Sequence, residues 1–143
     1  MGRYDVEMVT VDGGPTSLGS AGGFTLVADR PAAAGGRGLG FNGGQLLNLA
    51  VAACVSNDLY REAASRGLAL TSVRVRVRSE YGGEPVVSSP IEYDVELAGE
   101  APLDELATLL EHVDRIAEIP NSLRIGTAVT LVGRQIEAAP GRP

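Results

Sequence analysis

Lysine is absent from this 143-residue chain, and all twelve basic residues are arginine. Schiff-base chemistry on a lysine amine is therefore excluded. The single cysteine, Cys54, permits neither an intrachain disulfide nor a cysteine-rich zinc site. A single histidine, His112, leaves no histidine metal cluster. There is no apolar run of about eighteen residues, so a membrane span is not expected. The N-terminal MGRYDVEMVTVDGG is charged and alternating, unlike a secretory signal, and a cytoplasmic protein is expected. P-loop and dinucleotide fingerprints are missing. GGRGLG has the glycines, but no lysine follows and the spacing is wrong for a phosphate cradle, so it reads as a loop. Positive charge is in deficit: a net charge of −6 argues against nucleic acid or an anionic membrane as partner. Nothing in the sequence calls for a metal or a cofactor.

What remains is a chain rich enough in apolar residues to build one core. A single domain is expected over residues 1–137, with a frayed tail at 138–143. RYDVEMVTV (3–11) and FTLVAD (24–29) alternate as strands, and the turn-rich 12–23 joins them. Residues 30–44 form a loop long enough to suspect a function. A helix is predicted over residues 43–66, with Asn42 as N-cap and Gly67 as the stop. From Leu46 to Val55 only Asn48 is polar, which marks a central, buried helix. After Val55 the sequence turns polar, so the second half should emerge toward solvent or a cavity.

LTSVRVRVRSEY (70–81) alternates valine with arginine, and SPIEYDVELAG (89–99) alternates apolar with acidic residues. Paired antiparallel, they set Arg74, Arg76 and Arg78 against Glu92, Asp94 and Glu96 on an outer face. An anion site and a self-neutralised solvated face are the two readings of that stripe. A second helix spans 101–119, with Pro102 in its first turn and Pro120 ending it. His112 lies off its apolar stripe, with nothing nearby in sequence to complete a dyad. TAVTLVGRQIE (127–137) reads as a last strand. The fold class is α+β, with antiparallel sheets packed on a long central helix and a second helix. An all-round apolar helix needs more cover than one small domain supplies, so a homodimer is expected.

Cys54 is the chemical question. Asn57 and Asp58 follow it by three and four residues, on the same helix face, and Arg61 lies a turn further. One reading makes Cys54 a small hydrophobe of the core. Another makes it a reagent, with a carboxylate beside it that disfavours the thiolate. Asp58 is either a buried acid/base or the surface partner of Arg61 at i,i+3.

The layout, with GFNGGQLLNLAVAAC at the central helix and IPNSLRIGTAV after the second, resembles the OsmC/Ohr family (osmotically inducible protein C and organic hydroperoxide resistance protein). The likeness runs from about Phe24 to Leu131. It implies an intertwined homodimer that reduces organic hydroperoxides. A peroxidatic cysteine, a resolving cysteine, an arginine and a glutamate do the work in such proteins. Carried over, the peroxidatic position is Cys54. The resolving position is Ile119, the glutamate position is Gly44 and the arginine position is Pro15, so three of the four groups are missing. Cys54 also lies ten residues past Gly44, roughly 15 Å along a helix, beyond reach of the helix dipole. Arg37 is offered as a replacement, with Arg30 or Arg124 reaching in from loops.

Three functions stay open. One is a one-cysteine peroxidase, in which Cys54 becomes a sulfenic acid that an external thiol reduces. Another is a non-redox enzyme acting on a small hydrophobic metabolite, with Asp58 as acid/base and Asn57 shaping the site. The third is a ligand-binding protein that kept the fold and lost the chemistry. The pocket is expected at a dimer interface. Cys54, Asn57 and Asp58 would form its wall and the 35–44 loop its mouth, with Arg37, Gly44, Arg61 and Ile119 around it.

Overall fold

A computed structural model describes residues 2–136. It is a mixed α+β fold of antiparallel sheets and three α-helices. The tail expected at 138–143 lies outside the described residues, and among those described no helix is long and apolar enough to cross a membrane.

The N-terminal sheet is a meander of β1 (Glu7–Thr10), β2 (Ser17–Ala21) and β3 (Phe24–Ala28). The middle strand was not expected. SLGSA is poor in strand-forming residues and sits between two glycine turns, so the 12–23 segment reads as loop. Its pairing with both neighbours makes it a strand. Asp12 and Gly13, with φ of 54° and 62°, turn the chain into it, and Gly22 at φ 59° turns it out.

Asp29 then fixes the 30–40 loop. Its buried carboxylate accepts hydrogen bonds from the Thr16 hydroxyl (3.1 Å) and from the N–H groups of Arg30 (2.7 Å), Arg37 (3.2 Å) and Leu39 (3.2 Å). Burial alone would raise its pKa. The backbone donors outweigh burial and hold it below the ordinary value of 3.8. Gly36 and Gly40 are needed because the loop's backbone touches itself. A Cβ at Gly36 would lie 1.9 Å from the Arg30 carbonyl oxygen, and one at Gly40 would lie 2.3 Å from that of Val27. These glycines let the loop close tightly on its own backbone.

Helix α1 (Gly43–Ser65) begins and ends as the sequence predicts. The Asn42 side chain accepts from the Gln45 N–H, and the Gln45 side chain accepts from the Asn42 N–H, both at 2.9 Å. At the other end Gly67 has φ 69°, Leu68 N–H reaches the Ala63 carbonyl, and Gly67 N–H reaches that of Ala64.

Within one chain the second half of α1 does not emerge to solvent as a whole. Its C-terminal half is the better covered: Val55, Leu59 and Ala63 are essentially inaccessible, and Asp58 lies on the same stripe. The polar residues there point outward at helical spacing, and Asp58 disguises the inward stripe. In the apolar half, Leu49 remains 46% exposed.

The core closes with α2 (Leu103–Ile116), whose Leu109 and Val113 meet that stripe together with Ala117. Pro120 does not end a helix. The break comes at Ala117, with ψ 118°, and α3 (Glu118–Arg124) restarts with Pro120 in its first turn. An N–H there has no helical partner, so proline costs nothing.

Sheet β4 (Leu70–Arg78) and β7 (Glu92–Gly99) pair as expected. Arg74 faces Glu96 at 3.1 Å, Arg76 faces Asp94 at 3.2 Å, and Arg78 faces Glu92 at 3.1 Å, all exposed. The stripe is a self-neutralised outer face. A small hairpin, β5 (Tyr81–Gly82) with β6 (Val87–Ser88), fills the connection.

The last expected strand is missing from its described part. Residues 127–136 pair with no strand, and Val129, Leu131 and Val132 are almost fully exposed. Residue 137 lies outside the described residues. A strand exists only as half of a ladder, and among the described residues no strand pairs with this segment.

Leu109→Ala should destabilise the fold by about 2–5 kcal/mol in urea unfolding, because it opens a cavity in the α1–α2 core. Leu103→Ala, at an exposed position on the same helix, should stay within about 0.5 kcal/mol of the parent.

Candidate functional site

Cys54 is half-buried on α1, one turn before Asp58. Its Sγ donates to Asp58 Oδ2 at 3.8 Å. The other Asp58 oxygen, Oδ1, takes Arg61 Nη1 at 2.8 Å. Arg61 Nε continues to Glu62 Oε1 at 3.2 Å, and Glu62 Oε2 meets His112 Nε2 of α2 at 3.1 Å. A polar chain thus runs from the thiol, across a buried carboxylate, to His112. The dyad that His112 lacked in sequence is supplied by Glu62, fifty residues away.

Glu118, the first residue of α3, completes the cluster. Its carboxylate, that of Asp58 and the Cys54 sulfur lie within 4.8 Å of one another. Burial is the main reason that Asp58 titrates above 3.8. The Glu118 and Glu62 charges add to the rise, while Arg61 and the Cys54 hydrogen bond partly offset it. Both Asp58 readings therefore hold together: it pairs with Arg61, and it is buried beside the thiol. Among the described residues, Cys54, Asp58 and Glu118 are also the set whose atoms could hold a metal ion, although Arg61 already occupies one Asp58 oxygen.

The other expected site residues lie elsewhere. Asn57 is exposed and takes no part in this hydrogen-bond network. The Arg37 side chain lies against Gly14, with Nη1 3.9 Å from Asp12. Arg124 is committed to Asp114, with its Nη2 2.6 Å from Oδ1 and its Nη1 2.7 Å from the main-chain oxygen. Tyr93 joins Asp114 there. Its burial and that hydrogen bond push its pKa up to about 12. Arg30 lines a groove of about 550 Å³ at the start of α1, together with Pro15, Gly44 and Tyr81. The Tyr81 ring lies where a Gly44 side chain would be, with Cε2 2.9 Å from an ideal Cβ.

The expected pocket, with Cys54 on its wall and the 35–44 loop at its mouth, is therefore not formed within one chain. Pro15 and Gly44 share one groove. Cys54 stands further along α1, separated from them by the helix rise, and Glu118 of α3 lies beside it there. Ile119 follows Glu118 and is 38% exposed. A second groove, of about 490 Å³, is walled by Leu47 and Val51 of α1, by Ile91, and by Pro120, Leu123 and Arg124 of α3. Glu118 was missed by sequence reasoning. The available signal was its place beside Ile119, because a position matched to Cys54 chemistry brings its neighbours along.

A family model described as OsmC-like protein matches residues 35–132. No curated protein matches. Among solved structures, the chain is similar to an OsmC-like protein from Mycoplasma pneumoniae, with TM-score 0.75 and 18% identity over 88% of this chain and 89% of that one. An organic hydroperoxide resistance protein from Elizabethkingia anophelis gives TM-score 0.68 and 17% identity over 89% and 91%. A protein from Legionella pneumophila, described as an organic hydroperoxide resistance protein OsmC, gives 0.61 and 18% over 87% and 90%. At these identities the likeness is one of fold.

The raised Asp58 pKa has a thermodynamic sign. The folded state holds this proton more tightly than the unfolded one. Stability is therefore fully present below the unfolded value, near 3.8, and is lost as pH rises through the folded value. Asp58→Asn removes that loss. Its thermal midpoint should exceed that of the wild type at pH 7.5, and the gap should close as both are brought toward pH 4.

Proposed function

The chain belongs to the OsmC-like protein family, and on that premise we propose that it is a one-cysteine, thiol-dependent organic hydroperoxide reductase with Cys54 as the peroxidatic thiol. The observation that carries the reading is the place of Cys54, the single thiol, half-buried on the central helix of the family's fold, with Arg61 bound to the neighbouring Asp58 and partly offsetting its charge. The relatives described as organic hydroperoxide resistance proteins support the substrate class.

The thiolate attacks the outer oxygen of the hydroperoxide, an S–O bond forms as the O–O bond breaks with its electron pair leaving on the alkoxide, and Cys54 is left as a sulfenic acid. Cys54 is the only cysteine, so no second sulfur of the chain can resolve it, and an external thiol must reduce it. The groove walled by Leu47, Val51 and Leu123 suits an apolar substrate body, because Val51 is three residues, about one turn, before Cys54. No metal or cofactor is required.

The working unit is a homodimer. Its support is apolar surface that one chain leaves uncovered: Phe24 is 83% exposed and Val129 fully exposed, in a sheet and an extended segment with no cover. Such patches mark interaction surfaces. A cytoplasmic setting fits a reduced thiol. A second reading, a non-redox enzyme on a small hydrophobic metabolite, rests on the buried carboxyl of Asp58 beside Cys54, whose pKa burial raises above the ordinary value.

Reduced protein with cumene hydroperoxide and a dithiol should consume peroxide, and Cys54→Ser should abolish this. Consumption that survives Cys54→Ser, or none in the wild type, refutes the peroxidase reading and leaves the acid/base one. Sedimentation at micromolar concentration should give two chains per particle, and a monomer alone would refute the dimer.

A further inference from the structure

We propose that Glu118 is a further catalytic residue, which with Asp58 forms a proton relay that takes the Cys54 thiol proton and delivers it to the departing alkoxide. The proposal rests on the peroxidase reading and adds the group that reading lacks. Thiolate attack on a hydroperoxide expels an alkoxide, a strong base and a poor leaving group unless it is protonated as it leaves. The positions expected to manage this charge hold Pro15 and Gly44, which offer no side-chain donor.

The geometry supplies a substitute. Sulfur, Asp58 carboxylate and Glu118 carboxylate lie within 4.8 Å of one another. A reacting oxygen sits about 3–3.5 Å from its nucleophile and about 2.5–3.0 Å from a hydrogen-bonded carboxyl oxygen. Those two sides close a triangle on a base of 4.8 Å or less, so one peroxide can touch both groups.

The two carboxylates differ in reach. Asp58 is buried, already receives the thiol hydrogen, and has its other oxygen on Arg61. Glu118 is exposed, comes from a different helix, and its carboxylate makes no hydrogen bond or salt bridge among the described residues. Asp58 is the buried member that holds the thiol hydrogen, and Glu118 is the solvent-exposed member of the cluster. Its first-turn position on α3 also favours a carboxylate, but that would explain only its charge.

The step balances. Cys54–SH gives its proton to the Asp58–Glu118 pair. The sulfur electron pair forms the S–O bond to the outer peroxide oxygen, the O–O bond breaks, and its electron pair leaves on the alkoxide. The relay returns the proton to give the alcohol. Sulfur is oxidised to sulfenic acid, the hydroperoxide is reduced, and the carboxyl pair ends as it began.

Three reagents separate proton delivery from every other role of Glu118. Cumene hydroperoxide leaves as an alkoxide and needs a proton. 3-Chloroperoxybenzoic acid leaves as a carboxylate and needs none. Iodoacetamide reports access to the thiolate alone. In the full-length protein, Glu118→Gln should slow Cys54 oxidation by cumene hydroperoxide about tenfold or more. Its peracid oxidation should match that of the wild type, and its alkylation should be equal or faster, because a negative charge near sulfur is gone. Glu118→Asp should recover part of the cumene hydroperoxide rate. Equal slowing with all three reagents, or an unchanged cumene hydroperoxide rate, overturns the relay and leaves the peroxidase reading standing. A wild-type protein that is alkylated but inert to both peroxides overturns the reading itself, and the relay with it.

Discussion

One carboxylate lies in the apolar stripe that joins α1 to α2. Val55, Leu59 and Ala63 on that stripe lock against Leu109, Val113 and Ala117, and Asp58 stands among them nearly out of contact with water. A lone ionised carboxylate there would be costly. Arg61, three residues on, supplies the nearest positive charge at 2.8 Å while its own side chain stays half in water. Arg61 is then drawn to Glu62, and Glu62 to His112. The requirement to compensate one buried charge thus orders four side chains on two helices. Part of the cost remains, as the raised Asp58 pKa records. A group held this way is a poor choice for stability and a good one for moving protons.

Helix length decides how the site is divided. The groove that holds Pro15 and Gly44 is at the start of α1, and Cys54 lies roughly 15 Å further along the helix. No side chain spans that distance. Within one chain the two places stay apart. Within one chain, Cys54 works with what α1 and α3 provide.

The 30–40 loop illustrates a similar economy. It looks functional in sequence because it is long and rich in glycine. In the fold its glycines permit backbone contacts, and Asp29 collects its amides. Four donors on one buried carboxylate make a rigid collar, which holds the Asn42 cap at the entrance to α1.

The sequence by itself determined what depends on neighbours along the chain. The Asn42–Gln45 box, the Gly67 stop and the face-to-face arginine and acidic stripes of β4 and β7 follow from local spacing, because caps, turns and two-residue alternation are short-range. The place of Cys54 on the central helix, and its nearness to Asp58, follow from helical periodicity in the same way. Only the tertiary structure decided the rest. It made β2 a strand by giving weak residues two strand neighbours, and among the described residues it gave 127–136 no strand to pair with. It let Pro120 begin a helix because Ala117 had already broken the one before. It turned one stripe of the second half of α1 inward, Val55, Asp58, Leu59 and Ala63, since Asp58 could be buried only if Arg61 and the surrounding side chains closed around it. It also brought Glu118 to the sulfur and Glu62 to His112, contacts between helices whose residues lie dozens of positions apart, which no pattern of neighbours along the chain can encode.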